Sequence, residues 1–109
     1  MTNHIIFMRE ALKEAEKASK NNEVPIGAVI VKDGIIIGRG HNTRESGESV
    51  LGHAEINAIE AASRFIGDWR LTDTDIYVTI EPCPMCCGAI YQSRIRTIIY
   101  GASDLKAGA

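Results

Sequence analysis

The chain has 109 residues, 45% of them hydrophobic and 24% charged, with a net charge of −2 and a pI near 5.9. That length holds one domain around a single core, and that composition excludes a disordered or low-complexity chain. The slight negative balance argues against a protein that grips nucleic acid by bulk electrostatics, leaving open only a local basic patch among Arg39, Arg44, Arg64, Arg70, Arg94, Arg96 and Lys106.

At the N-terminus, Ile5-Ile6-Phe7-Met8 is too short for a signal peptide or a membrane span, which predicts a cytoplasmic protein that does not enter a membrane. From Phe7 to Ser19, Met8, Ala11, Leu12, Ala15 and Ala18 recur at helical spacing. Glu10, Lys13, Glu14, Glu16 and Lys17 lie opposite, so an amphipathic packing helix is predicted. Asn21-Asn22 ends it, and Val24 to Val31 reads as a buried strand with Pro25 at its start. Lys32-Asp33-Gly34 predicts a hairpin turn into Ile35-Ile36-Ile37. Gly38 to Gly52 is the longest irregular stretch, a candidate functional loop containing His41, Asn42, Arg44, Glu45 and Glu48.

A second helix is predicted from about His53 to Ile66, with Ala54, Ala58, Ile59, Ala62 and Phe65 as its apolar face and Gly67 as its cap. This places His53 in the first turn. Asp75 to Ile80 reads as a strand, Pro84 opens a helix running to about Arg94, and Arg96 to Gly101 is a last strand. The order helix, strand, strand, helix, strand, helix, strand predicts a three-layer α/β domain. A hairpin lies at one side of its sheet and a parallel crossover at the other.

Two clusters at helix starts carry the chemistry. Cys83 and Cys86 sit at i and i+3, so both sulfurs can grip one tetrahedral ion, and His53 can supply a third ligand. Three protein ligands and an open position mark a catalytic rather than a structural zinc. The helix dipole at Cys83 favours the thiolate that zinc needs. Glu55, two residues from His53, cannot share its helical face as a ligand and is expected to carry protons beside the ion. A structural zinc would need a fourth ligand from Cys87, His41 or His4, but Cys87 projects about a hundred degrees round the helix from Cys86. A redox Cys-x-x-Cys pair would leave His53-Ala54-Glu55 unexplained.

His-x-Glu followed by Pro-Cys-x-x-Cys is the recognised signature of zinc nucleobase deaminases, and the match in this chain is complete. Glu23-Val24-Pro25-Ile26-Gly27-Ala28-Val29, Asn42, Tyr77 to Cys83, Ser93-Arg94-Ile95 and Gly101 to Ala109 extend the likeness over nearly the whole chain. The chain thus resembles the cytidine deaminase-like superfamily, and within it the bacterial tRNA-specific adenosine deaminases. The resemblance implies a three-layer α/β/α fold, with a mixed sheet of four strands here. It further implies a homodimer with one zinc per subunit and hydrolysis of the wobble adenosine of a tRNA anticodon loop to inosine. His53, Cys83 and Cys86 would hold the zinc and Glu55 would move the protons. Asn42 matches a residue that hydrogen-bonds the flipped nucleotide, and Asp104 matches a position at the rim of the RNA groove.

Ser49-Val50-Leu51-Gly52 stands where the family usually has Asp-Pro-Thr-Ala. The sequence stops at Ala109, where relatives continue through a fifth strand and C-terminal helices, so a domain lacking that end is expected. Two alternatives stay open: a deaminase of free guanine or cytosine, and a non-catalytic zinc-folded RNA-binding module for which Glu55 would be dispensable.

Overall fold

Helix α1 occupies His4–Lys20 in the computed structural model, which describes residues 3–102; Asp104 and Lys106 lie outside the described residues. The Asn3 side chain caps it by accepting the Ile6 amide, so the helix starts earlier than the apolar pattern. Two positions depart from the predicted faces. Leu12 is 50% exposed, whereas Glu14 is buried. Lys17 and Arg39 donate to the Glu14 carboxylate at 2.8 and 3.2 Å, and His41 Nδ1 lies 3.4 Å away. A carboxylate can leave water when charged donors surround it, and two of these come from another element.

Strands β1 (Gly27–Lys32) and β2 (Ile35–His41) form the predicted hairpin. Asp33 and Gly34 both adopt left-handed backbone, with φ of +51° and +77°, as a tight turn between twisted strands requires. Pairing of Gly40 with Ala28 and of His41 with Gly27 carries β2 through its glycines, so the irregular loop begins at Asn42 rather than Gly38. Helix α2 (Ala54–Ile66) ends on Gly67 at φ +80°. Its buried stripe is Ala54, Ala58 and Ala62, while Phe65, expected on that face, is 70% exposed. Strand β3 (Asp75–Val78), helix α3 (Pro84–Gln92) and strand β4 (Thr97–Tyr100) complete the described elements.

The sheet order is β2-β1-β3-β4, with β1 antiparallel to both neighbours and β3 parallel to β4 across α3. Alternation along β1 and β3 sends Val29, Val31 and Tyr77 towards α1, and Ala28, Ile30, Ile76 and Val78 towards α2 and α3. These are the three predicted layers, in a cytidine deaminase-like fold with a mixed sheet of four strands. Small residues let α2 approach the sheet closely: Gly38 faces Ala58 and Ala62, and Gly40 faces Ala54 and Ala58, with no room for a Cβ at either glycine. Among the described residues no helix is long and apolar enough to cross a membrane.

Candidate metal and catalytic centre

The strand register brings three connections to one end of the sheet. Gly27 at the start of β1 lies opposite His41 at the end of β2, and Ala28 lies opposite Val78 at the end of β3. The Asn42 amide donates to the Ile26 carbonyl at 3.1 Å, and the Thr79 amide donates to the Gly27 carbonyl at 3.0 Å. Helices α2 and α3 both start at this end, so their first residues meet.

His53 is the N-cap of α2, with extended backbone at φ −89° and ψ 148°, rather than a first-turn residue. Cys83 is likewise the N-cap of α3, and Pro84 opens that helix, where its missing N–H costs no hydrogen bond. Extended caps aim both side chains across the helix ends towards each other. His53 Nδ1 lies 3.7 Å from Cys83 Sγ and 3.4 Å from Cys86 Sγ. A tetrahedral ion with metal–nitrogen bonds of about 2.05 Å and metal–sulfur bonds of about 2.3 Å requires nitrogen–sulfur separations of about 3.6 Å. The donors therefore already stand at ligand spacing. Among the described residues they form the one such group, with all ligand atoms within 4.8 Å of one another.

The fourth-ligand candidates are engaged elsewhere. Cys87 Sγ points to the Pro82 carbonyl at 3.7 Å, His41 faces Glu14, and His4 Nδ1 lies 2.6 Å from the Tyr77 hydroxyl. Three protein donors leave one tetrahedral position for a water or a substrate.

Glu55, in the first turn of α2, is buried beside this group. Burial pushes its carboxyl up, against the opposing pull of its own backbone amide, His53 and the Cys86 thiol. Burial also pushes the Cys86 thiol up, as do the neighbouring Glu55 and Cys83. A divalent cation reverses that balance by favouring the thiolate. The donor set of one imidazole and two sulfurs suits zinc-like ions, and the adjacent carboxylate can take and return a proton.

A pocket of 230 Å³ opens onto the group. Val24, Ile26 and Ile80 give it apolar walls, and Asn42, Arg44 and Glu81 give it polar ones, with His53, Cys83 and Glu55 at its base. Asn42 is buried, yet its side-chain amide makes no hydrogen bond among the described residues and is free to meet a ligand. A wider opening of 450 Å³ beside α1 and α2 is lined by Glu14, Lys17 and Arg39, which pair with one another.

Two residues that hold this site were not singled out from the sequence. Asn57 Nδ2 donates at 2.9 Å to both the His41 carbonyl and Thr43 Oγ1, tying α2 to the loop that carries Asn42. Its signal was an asparagine inside a helix, a poor helix former that earns its place through side-chain bonding. Glu23 accepts the Glu45 and Ser46 amides from the same loop; it heads the family-like Glu23-Val24-Pro25 stretch, but the sequence assigned it no role of its own.

A family profile described as MafB19-like deaminase matches residues 2–107. A tRNA-specific adenosine deaminase of Streptococcus pyogenes serotype M18 is 60% identical over 102 residues, covering 94% of this chain and 64% of the relative. The chain thus spans a little under two thirds of the length of that relative. A structure solved in studies of A-to-I editing by tRNA:A34 deaminases superposes with a TM-score of 0.96 at 47% identity, covering 99% of this chain and 83% of that one. Guanine deaminase from Bacillus subtilis superposes at 0.89 with 40% identity, over 94% of this chain and 66% of that one. With its signature residues gathered at one sheet end and a profile match over nearly its whole length, this chain belongs to the MafB19-like deaminase family, alongside the bacterial tRNA-specific adenosine deaminases.

Proposed function

We propose that residues 1–109 form one zinc-dependent deaminase domain that converts adenosine to inosine at the wobble position of a tRNA anticodon loop, releasing ammonia. The observation that carries the reading is the set of three donors at tetrahedral spacing, with the buried Glu55 carboxylate against Cys86 and the Asn42 amide facing the same pocket. The adenosine assignment draws on the tRNA-specific deaminases to which the chain is 60% identical. It includes a homodimer with one zinc per subunit, in the cytoplasm where tRNA is decoded.

Held by His53, Cys83 and Cys86, zinc supplies the Lewis acidity that makes a water nucleophilic at neutral pH. Glu55 takes a proton from that water as its oxygen adds to C6 of adenine. It then delivers that proton to the ring nitrogen and carries the remaining proton of the added hydroxyl to the departing amine, so the C6–N bond breaks, C6 keeps the oxygen as a carbonyl and ammonia leaves. Asn42 orients the flipped nucleotide, and Asp104 lies at the rim of the RNA groove. An anticodon loop is single-stranded, so splaying one base into a small pocket needs little unpairing.

A second reading, a deaminase of a free base, is favoured by the 40% identity to a guanine deaminase. Zinc-loaded protein incubated with an anticodon stem-loop bearing wobble adenosine, beside free guanine and cytosine, separates the two. Inosine in the RNA alone is expected. Turnover of a free base alone moves the chain to the second reading, and turnover of none of the three rejects both.

A further inference from the structure

The acidic residue of Glu23-Val24-Pro25 has no part in the chemistry above, yet it is only 6% exposed, and its two carboxylate oxygens meet two consecutive amides of the loop after β2. Oε1 accepts the Glu45 amide at 3.0 Å and Oε2 accepts the Ser46 amide at 2.6 Å. Consecutive backbone amides turned towards one carboxylate make a small anion nest filled from within the chain. The Glu45 amide foremost, and the Ser46 amide with it, hold the Glu23 carboxyl below the usual carboxylate range against the opposing effect of burial.

The position of this clasp gives it a consequence. Glu23 follows α1, where its own amide donates to the Ala18 carbonyl at 2.9 Å, and it leads directly into Val24 and Ile26, one wall of the pocket. Glu45 and Ser46 follow directly on Asn42 and Arg44, the facing wall. Across the two sides the Asn42 amide also donates to the Ile26 carbonyl at 3.1 Å, while the loop itself is held by the Thr43 amide to the Gly52 carbonyl at 2.8 Å and by the Asn57 side chain to Thr43 Oγ1 at 2.9 Å. We propose that Glu23 is a positioning residue that clasps the loop after β2 onto the connection after α1 and so sets Asn42 and Arg44 at the distance at which they engage the nucleotide. This rests on the deaminase reading given above. His53 and Cys83 cap α2 and α3, and Glu55 and Cys86 lie in their first turns, none of them a partner of Glu23, so losing the clasp weakens substrate capture and leaves the chemical step in place.

Glu23→Gln tests this at constant shape. An amide offers one acceptor oxygen in place of two and turns an N–H donor towards a backbone N–H. A hydrogen bond to a charged group is lost, which corresponds to roughly tenfold or more in an equilibrium. With zinc-loaded full-length protein and the anticodon stem-loop, KM is expected to rise about tenfold, while kcat stays within about twofold. Zinc stoichiometry should be unchanged. By amide hydrogen exchange, the Glu45 and Ser46 N–H groups, protected in the unsubstituted protein, should exchange at least tenfold faster in the variant, and those of α2 should not. Unchanged protection at Glu45 and Ser46, or a fall in kcat and zinc content with KM unmoved, overturns the proposal. If the unsubstituted protein converts no wobble adenosine, the deaminase reading fails instead, and the clasp is decided by the exchange measurement alone.

Discussion

At the scale of single residues, the proposed division of labour between His53 as ligand and Glu55 as proton carrier rests on where the two side chains emerge. His53 is an extended N-cap that reaches across to α3, while Glu55, two residues on, is helical and buried against Cys86. Only one of the two is a donor in the metal group. Glu55→Gln keeps the volume and the polar contact but cannot accept a proton. The variant is expected to bind one zinc per chain with unchanged affinity and to lose turnover by about 10²- to 10⁴-fold, the usual contribution of a positioned general base. Zinc titration and single-turnover conversion of the stem-loop measure both. Loss of zinc together with activity would make Glu55 a ligand, and retained turnover would favour the non-catalytic module.

At the scale of elements, the metal group is aligned by how closely α2 lies on β2. A Cβ at Gly40 would stand 2.5 Å from the Ala58 amide nitrogen, and neither backbone can yield locally. Gly40→Ala should therefore displace the N-terminal half of α2, costing about 1–3 kcal/mol in urea unfolding. Zinc affinity should fall as His53 leaves its 3.4 Å separation from Cys86. Gly88→Ala is the contrasting change: that glycine lies within α3 with nothing near its Cβ position. There the gain in helix propensity should stabilise by about 0.5–1 kcal/mol and leave zinc binding alone.

The same elements show what the sequence makes legible. All seven described helices and strands could be placed from periodicity, turn residues and caps, because each of those signals is local. Their ends shifted where pairing decided them: β2 runs to His41 because β1 continues opposite it. Faces were misread where a partner lies far along the chain. Glu14 looked solvated until Arg39 and His41 came to it from β2, and Phe65 looked buried although the sheet is met by the Ala54, Ala58 and Ala62 stripe instead. In the site, His53, Cys83 and Cys86 were legible because their chemistry and spacing are rare together. Asn57 and Glu23 were not, since they act by hydrogen-bonding backbone whose position depends on the finished fold.

At the scale of the whole molecule, acidic side chains tie the α1 layer to the sheet and to the loop above the pocket. The Lys13 side chain foremost, with Arg39, holds the Glu10 carboxyl down at about 2. Burial pushes Glu14 up, but Lys17, His41 and Arg39 outweigh it and leave that carboxyl lowered from its usual 4.5. A carboxyl lowered by folding contributes stability that is present above its unfolded value and is lost as pH falls through the folded one. The native chain should thus lose stability progressively as pH drops from about 5 towards about 2. Metal binding is itself pH-dependent, so the informative quantity is a difference between two proteins that share the same donors. Glu14→Gln keeps the shape and removes the charge facing Arg39 and Lys17. At neutral pH the variant should unfold at lower urea than the unsubstituted chain, and the two midpoints should converge as Glu14 becomes protonated in both states. A gap that stays constant down to pH 2 would mean that packing rather than charge at Glu14 joins α1 to β2. A gap that closes assigns that junction to the ion pairs of the buried Glu14 carboxylate.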